Sequence, residues 1–285
     1  MRVGFEAGIA AGRDWTFCID ADVVLRAGSV AAMLRTAQAQ PPYVFEVQGA
    51  VLDKLFVTLR QAGNHLFRTS LLSQMIDCIP EEGTSLRPET TAMQRMKARG
   101  HPWAQVPYVV GLHDFGQSNR DIFRKCYTHA QKHSHLLADL IPKMRARAQA
   151  DPDFQVAIMG LAEGLMATAD VRIDTGYKPF SERFEALQIA EKAPCTEEEF
   201  SSNNVERLLR DYAHADDLTV RYLPFSGPEA IALDGTTRLT KSVRLRALWR
   251  RKRGRHGTGG AIVHTFGQGM ERMGLWLKKR AGEHE

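Results

Sequence analysis

The stretch WTFCIDADVV, residues 15 to 24, runs from an aromatic and apolar segment into two aspartates one residue apart. Two like charges at the mouth of a strand repel each other, and a hard divalent cation relieves that repulsion because carboxylate oxygens suit Mg²⁺ or Mn²⁺. The plainer alternative is a turn, in which Asp20 leaves the strand and Asp22 begins the next segment, since aspartate is common in turns. If the chain stays extended through Ala21, Asp20 and Asp22 point the same way.

A second group of polar residues closes the apolar run PYVVGLHD, where His113 and Asp114 stand just ahead of a long helical pattern. His113 is either a nitrogen ligand or a strand-end histidine bonded to polar neighbours. Asp114 is either a ligand or a helix N-cap. His129 and His133 lie four apart on one helix face; a metal pair there is weighed against a solvated face, and no Glu between them completes the H-E-x-x-H pattern. His113-Asp114 also resembles the dipeptide of metal phosphohydrolases, but the further His and Asp that chemistry needs are not arranged for it.

The elements that must position these residues follow from periodicity and breakers. Residues 3 to 12 read as a helix ending at Gly12, then the strand TFCID, then a helix SVAAMLRTAQAQ entered through Gly28 and Ser29. YVFEVQGAVL reads as a strand, and HLFRTSLLSQM leads to a helix or turn ending at Pro80. ETTAMQRMKARG reads as a helix stopped by Gly100. From Asn119 to about Gln149 the apolar spacing predicts one long helix with its interruption at Pro142. FQVAIMGLAEGLMATA is a more buried helix whose Gly160 and Gly164 offer a close-packing face. SERFEALQIAEK and residues 196 to 211 read as more exposed helices.

Taken together, GIAAGRDWTFCIDADVVLRAGSVAAML resembles the segment of GT-A-fold nucleotide-sugar glycosyltransferases, the bacterial family 2 type, in which a Gly/Ala-rich helix precedes a strand carrying D-x-D. GNHLFRTSLLSQMIDCIPEEGTSLRPETTAMQRMKARGHP is similar to their acceptor-side region, with Gly63, Arg68, Glu89, Met93, Arg95 and Gly100 at matching positions. VVGLHDFGQSNRDIFRK is similar to the end of their catalytic core. The resemblance covers residues 3 to about 133. It implies that Asp20 touches the ribose or metal, that Asp22 and His113 bind the metal, and that Arg68 and Arg95 face the acceptor. A nitrogen ligand favours Mn²⁺ over Mg²⁺.

Two departures stand out. Where the family has E-D this chain has Glu89-Thr90, so Glu89 is either the base, displaced by one residue, or a first-turn carboxylate favoured by the helix dipole. Only about a dozen residues precede the D-x-D strand, where the resemblance implies two or three βα units that hold the nucleoside. The expected fold is therefore α/β, an incomplete GT-A-like mixed sheet with flanking helices over residues 1–118. A helical region over 119–235 and a basic amphipathic tail over 236–285 complete the expected chain.

The tail carries its own signal. RLTKSVRLRALWRRKRGR, residues 238 to 255, holds nine Lys or Arg and no acid, interleaved with leucine, valine and tryptophan. Such a segment is drawn to anionic lipid headgroups, against the alternative of a solvated basic tail. No recognisable nucleic-acid module accompanies the charges, so residues 238–280 are expected to meet an anionic membrane surface rather than nucleic acid. The whole chain has 285 residues, 44% hydrophobic and 25% charged, with net charge +5, ordinary for a soluble globular protein. Four scattered cysteines suggest neither a zinc ribbon nor a disulfide framework, and no run resembles a signal peptide or membrane span, which together point to the cytoplasm or the inner membrane face.

The expected function is metal-dependent glycosyl transfer from a nucleoside diphosphate sugar to a polysaccharide or lipid-linked acceptor. The rival is a non-catalytic glycosyltransferase remnant acting as an interaction or membrane-associated protein.

Overall fold

The computed structural model describes residues 1–168, 178, 180–213 and 219–220. The basic tail from 238 to 280 lies outside the described residues.

The chain opens with α1 (Arg2–Ala11), anchored by the buried Phe5 and ended by Gly12 at φ 62, whose N–H donates to the carbonyl of Ile9. Then come β1 (Trp15–Ile19), β2 (Val23–Leu25) and α2 (Ser29–Gln38). α2 is entered through Gly28 at φ 79, and the Ser29 hydroxyl donates to the carbonyl of Arg26. β3 (Glu46–Asp53) and β4 (Thr58–Arg68) form a hairpin. α3 (Leu72–Cys78) and α4 (Pro88–Ala98) lead to β5 (Trp103–His113). After the sheet the chain forms α5 (Asn119–Lys132), α6 (Leu137–Arg147), α7 (Asp153–Met166), α8 (Ser181–Ala186) and α9 (Ser202–Ala213). A two-residue strand, β6 (Thr219–Val220), pairs with β4, so the region after residue 119 contributes to the sheet as well as to the helices.

The fold is α/β with a six-stranded mixed sheet, in the order β1-β4-β3-β5-β2 with β6 beside β4. β3 is buried along its whole length because it is central, and it pairs antiparallel with β4 and parallel with β5. Helices cover both faces. Ala32, Met33 and Ala37 of α2 pack with Val47, Val51, Leu66 and Val110, whereas Val205 and Leu209 of α9 pack with Ala50, Leu52, Leu59 and Val109. Successive β3 residues thus serve opposite sides, as the pleat requires. α9 is also pinned by a two-pronged ion pair, Arg26 Nε to Glu206 Oε1 at 2.7 Å and Arg26 Nη2 to Glu206 Oε2 at 2.8 Å.

Three sequence expectations are corrected here. Residues 58–68, to which the sequence assigned no strand, form the eleven-residue β4, which HLFR closes before the helical turn Thr69–Leu71 and α3. Its register slips where Gln61 to His65 of β4 faces Gln48 to Ala50 of β3, and the β4 residues there, Gln61, Ala62, Gly63, Asn64 and His65, are polar or small, so the apolar alternation that marks a strand is lost. The Asn64 side chain fills the slip, accepting from Gly49 N at 2.7 Å and donating to Gly49 O at 3.0 Å. Second, the helix break falls at His133, between α5 and α6, while Pro142 sits inside α6, where its ring removes one i→i−4 bond without ending the helix. Third, Asp114 is not the cap of α5. Ser118 is, with its hydroxyl accepting from Asp121 N. The close-packing expectation holds: a Cβ on Gly160 would lie 2.5 Å from the Phe123 carbonyl oxygen, and one on Gly164 2.2 Å from that of Tyr127, so α7 meets the backbone of α5 directly.

Candidate active site

β1 and β3 both run antiparallel to β4, and β5 runs parallel to β3, so the C-terminal ends of β1, β3 and β5 come to one edge of the sheet. Asp20 follows β1, Asp53 ends β3 and His113 ends β5. That is the edge where open α/β sheets place ligands. The chain does turn at Asp20, because Val23 N donates back to Asp20 O at 3.1 Å. This is the turn reading of the two aspartates. The carboxylates of Asp20 and Asp22 and the His113 ring lie with their ligand atoms within 4.8 Å of one another.

Gly63 supports this turn. At φ 65 its carbonyl accepts from Asp20 N at 2.9 Å, and a Cβ there would lie 2.6 Å from Val23 Cγ2 and 3.2 Å from Asp20 Oδ2. Only a residue without a side chain lets the bulged strand approach so closely.

His113 is held from behind. Its Nδ1 lies 3.1 Å from Asp53 Oδ2 and 3.1 Å from Asp114 Oδ2, and its Nε2 lies 3.5 Å from Asp22 Oδ1. Asp53 is fully buried and also receives Arg60 Nε at 2.8 Å and Phe56 N at 3.0 Å. Asp114 sits at φ 67 and is fully buried, and its backbone N–H donates to Asp22 O at 3.2 Å. The Lys125 ammonium donates to Asp22 Oδ2 at 2.7 Å and contacts Asp114 Oδ1. Gln117 Nε2 also donates to Asp22 Oδ2, at 3.1 Å. Asp22 Oδ1 is buried without a hydrogen-bond partner.

These neighbours set the charge states. Burial raises Asp20, and the charges of Asp22 and Glu89 add to it. Burial works upward on Asp22 too, but the Lys125 bond and the His113 charge hold it below the usual carboxylate range. Asp53 is likewise depressed, by Arg60 and His113 against its burial. His113 is opposed by burial yet raised to about 9 by Asp114 and Asp53.

A second polar chain lies beside the first. His65 Nδ1 is 2.6 Å from Oε1 of the fully buried Glu46, and its Nε2 contacts Glu89 Oε1. Burial opposes charge on His65, but Glu46 and Glu89 raise it well above the ordinary histidine value. Glu89 is lowered, its burial outweighed by the His65 bond, and burial raises Glu46. Glu89 stands in the first turn of α4, after Arg87 and Pro88, so it occupies the position of a first-turn carboxylate as well as that of a candidate base.

The expected residues are thus divided. Asp20, Asp22 and His113 come together, with Glu89 close enough for its charge to act on Asp20. Arg68 lies at the other end of β1, paired with Trp15, whose ring its guanidinium overlies at 4.4 Å. It donates to the carbonyls of Val44, Gln40 and Pro41 and lines a cavity of about 540 Å³ with Arg13, Trp15 and Ser73. Arg95 donates to Cys78 O at 3.1 Å and ties α4 to α3. His129 stacks on Phe56 at 4.0 Å, and among the described residues it joins no metal-holding group. All four cysteines are free.

Sequence reasoning missed Asp53, Arg60, Lys125, Glu46 and His65. Asp53 carried a signal, as a carboxylate closing an apolar strand, and so did Glu46 and Gln48 inside one. Comparison with protein families, with curated proteins and with solved structures finds no match.

Proposed function

We propose that this chain binds a divalent cation through Asp20, Asp22 and His113 and uses it in glycosyl transfer from a nucleoside diphosphate sugar to a glycan or lipid-linked acceptor. The observation that carries the reading is the placement of His113. Its Nδ1 is anchored on the buried Asp53 while Nε2 faces the unpartnered Asp22 Oδ1 at 3.5 Å. Metal-binding histidines commonly donate their other ring N–H to a carboxylate, which fixes the tautomer and the ring plane. The donor set of two carboxylates and one imidazole suits Mn²⁺ or Mg²⁺, with the nitrogen favouring Mn²⁺. This arrangement supports a GT-A-like reading of the sheet edge, which the sequence resemblance introduced.

A cation here would supply charge neutralisation for a leaving diphosphate. Asp53 and Arg60 hold the His113 ring in place. Glu89, ionised at neutral pH beside the His65 imidazolium, accepts the proton of the acceptor hydroxyl at its carboxylate. The other oxygen of Glu46, Oε2, has no partner, and Glu46 keeps the His65 ring turned so that Nε2 meets Glu89.

The test is differential scanning of the chain with Mn²⁺, nucleoside diphosphates and a panel of their sugars, followed by assay of diphosphate release. A ligand bound only by the folded state raises the midpoint by mass action. Asp22→Asn should abolish the rise. Absence of any Mn²⁺-dependent shift and of diphosphate release would remove the reading. The second reading, a non-catalytic remnant, is favoured by Thr90 in place of the family's carboxylate. Binding of Mn²⁺ and diphosphate without release from any donor would select it. Among the described residues no helix is long and apolar enough to cross a membrane. Attachment to an anionic surface is assigned to residues 238–280 by their charge alone.

A further inference from the structure

The cation site contains a cation of its own. Lys125, on the second turn of α5, places its ammonium 2.7 Å from Asp22 Oδ2 and in contact with Asp114 Oδ1, and its side chain is only 19% exposed. Each of these carboxylates gives one oxygen to Lys125 and keeps one without an aligned hydrogen bond, Oδ1 of Asp22 and Oδ2 of the fully buried Asp114. Asp22 is thus the residue that faces Lys125 on one side and His113 on the other.

We propose that Lys125 is a resident counter-ion for Asp22 and Asp114, whose fixed charge opposes a divalent cation binding at the free Oδ1 of Asp22. The proposal rests on the reading of Asp20, Asp22 and His113 as cation ligands. Four carboxylates, Asp20, Asp22, Asp53 and Asp114, meet there with the fixed positive charges of Arg60 and Lys125. With His113 neutral, as a ligand must be, two negative charges remain, the charge of one divalent ion. That ion would sit against the Lys125 ammonium at short range in a partly buried site, where repulsion is strong. A bare cation therefore binds weakly. Loss of the lysine charge leaves three negative charges and an unshared Asp22, so the bare ion binds tightly. The lysine makes the empty site stable without metal and holds the cation's affinity down until further negative charge arrives with a diphosphate.

Titration calorimetry with Mn²⁺ alone tests this on the full chain, its Lys125→Met and Lys125→Gln variants, and Lys125→Arg, which keeps the charge. The two neutral variants should bind Mn²⁺ at least about tenfold more tightly than the parent, and Lys125→Arg should not. Scanning supplies a second readout: Mn²⁺ should raise the midpoint of the neutral variants more than that of the parent. If a neutral variant is unfolded without metal, Mn²⁺ should refold it, and failure to do so counts against the proposal. Equal or weaker Mn²⁺ binding by the neutral variants overturns it, as does absence of binding in every form. Mn²⁺ binding with no diphosphate release from any donor would instead end the glycosyl-transfer reading and leave the lysine's role standing.

Discussion

His65 links a buried glutamate to a half-exposed one, and against burial its bond and charge hold the Glu89 carboxyl below its usual range. The His65 pKa is raised, so its contribution to stability is full below the ordinary value near 6.5 and is lost as pH rises through the folded value. The Glu89 pKa is lowered, so its contribution is present above the ordinary value near 4.5 and is lost as pH falls through the folded value. Both are in force between about pH 4.5 and 6.5. The urea midpoint of the parent should therefore fall as pH rises above 6.5, more steeply than that of His65→Gln; parallel curves would make the pair irrelevant to stability. At the same scale, Glu89→Gln should lower turnover about a hundredfold while leaving diphosphate and Mn²⁺ affinity nearly intact, the usual size of a general-base contribution. Near-normal turnover in steady-state assays would leave Glu89 as the first-turn carboxylate of α4.

Packing between elements decides how α5, and with it Lys125, is held against the sheet. α7 fixes α5 through Gly160 and Gly164, and the atoms they would strike are backbone carbonyls that have no rotamer to change. Gly164→Ala should cost about 1–3 kcal/mol as overpacking, read as a lower urea midpoint. Gly4→Ala is the control, because nothing lies within 4 Å of a Cβ there and α1 gains helix propensity. It should be neutral or stabilising by a few tenths to about 1 kcal/mol. The β3–β4 bulge works in the same way on the site itself, since Gly63→Ala would press on Val23 and on the Asp20 carboxylate together. It should lower the midpoint and weaken Mn²⁺ binding, and an unchanged Mn²⁺ isotherm would detach the bulge from the site.

For the molecule as a whole, charge is unevenly placed: a net +5 overall, with an acid-free basic run at 238 to 255. The tail should confer binding to vesicles containing anionic lipid, and binding should weaken at high salt because surface charges are screened within about 8–10 Å. Co-sedimentation with and without residues 238–280 measures it, and equal binding by the shortened chain would dismiss a role for the tail. The same scale shows what could be read in advance. α1, the D-x-D strand, α2, α4 and the glycine face of α7 were legible because each is written in local signals: a terminating Gly12, apolar spacing, small residues at i and i+4. Asp20, Asp22 and His113 were legible as candidates because their types and positions at strand ends are local too.

β4 was not legible, since its bulged middle, Gln61 to His65, is polar or small and carries no apolar alternation, and what pairs it is the distant β3. With β4 unseen, Arg60 could not be matched to Asp53, nor His65 to Glu46 and Glu89. Lys125 carried no signal in the sequence, because only the packing of α5 turns it onto Asp22 and Asp114. What the sequence determined alone was which residues have the chemistry of cation ligands and an acceptor base, and the order of most helices and strands. The tertiary structure decided their company, because pairing register and helix docking bring together side chains as far apart in the chain as Asp22 and Lys125, and no local pattern encodes a contact at that separation.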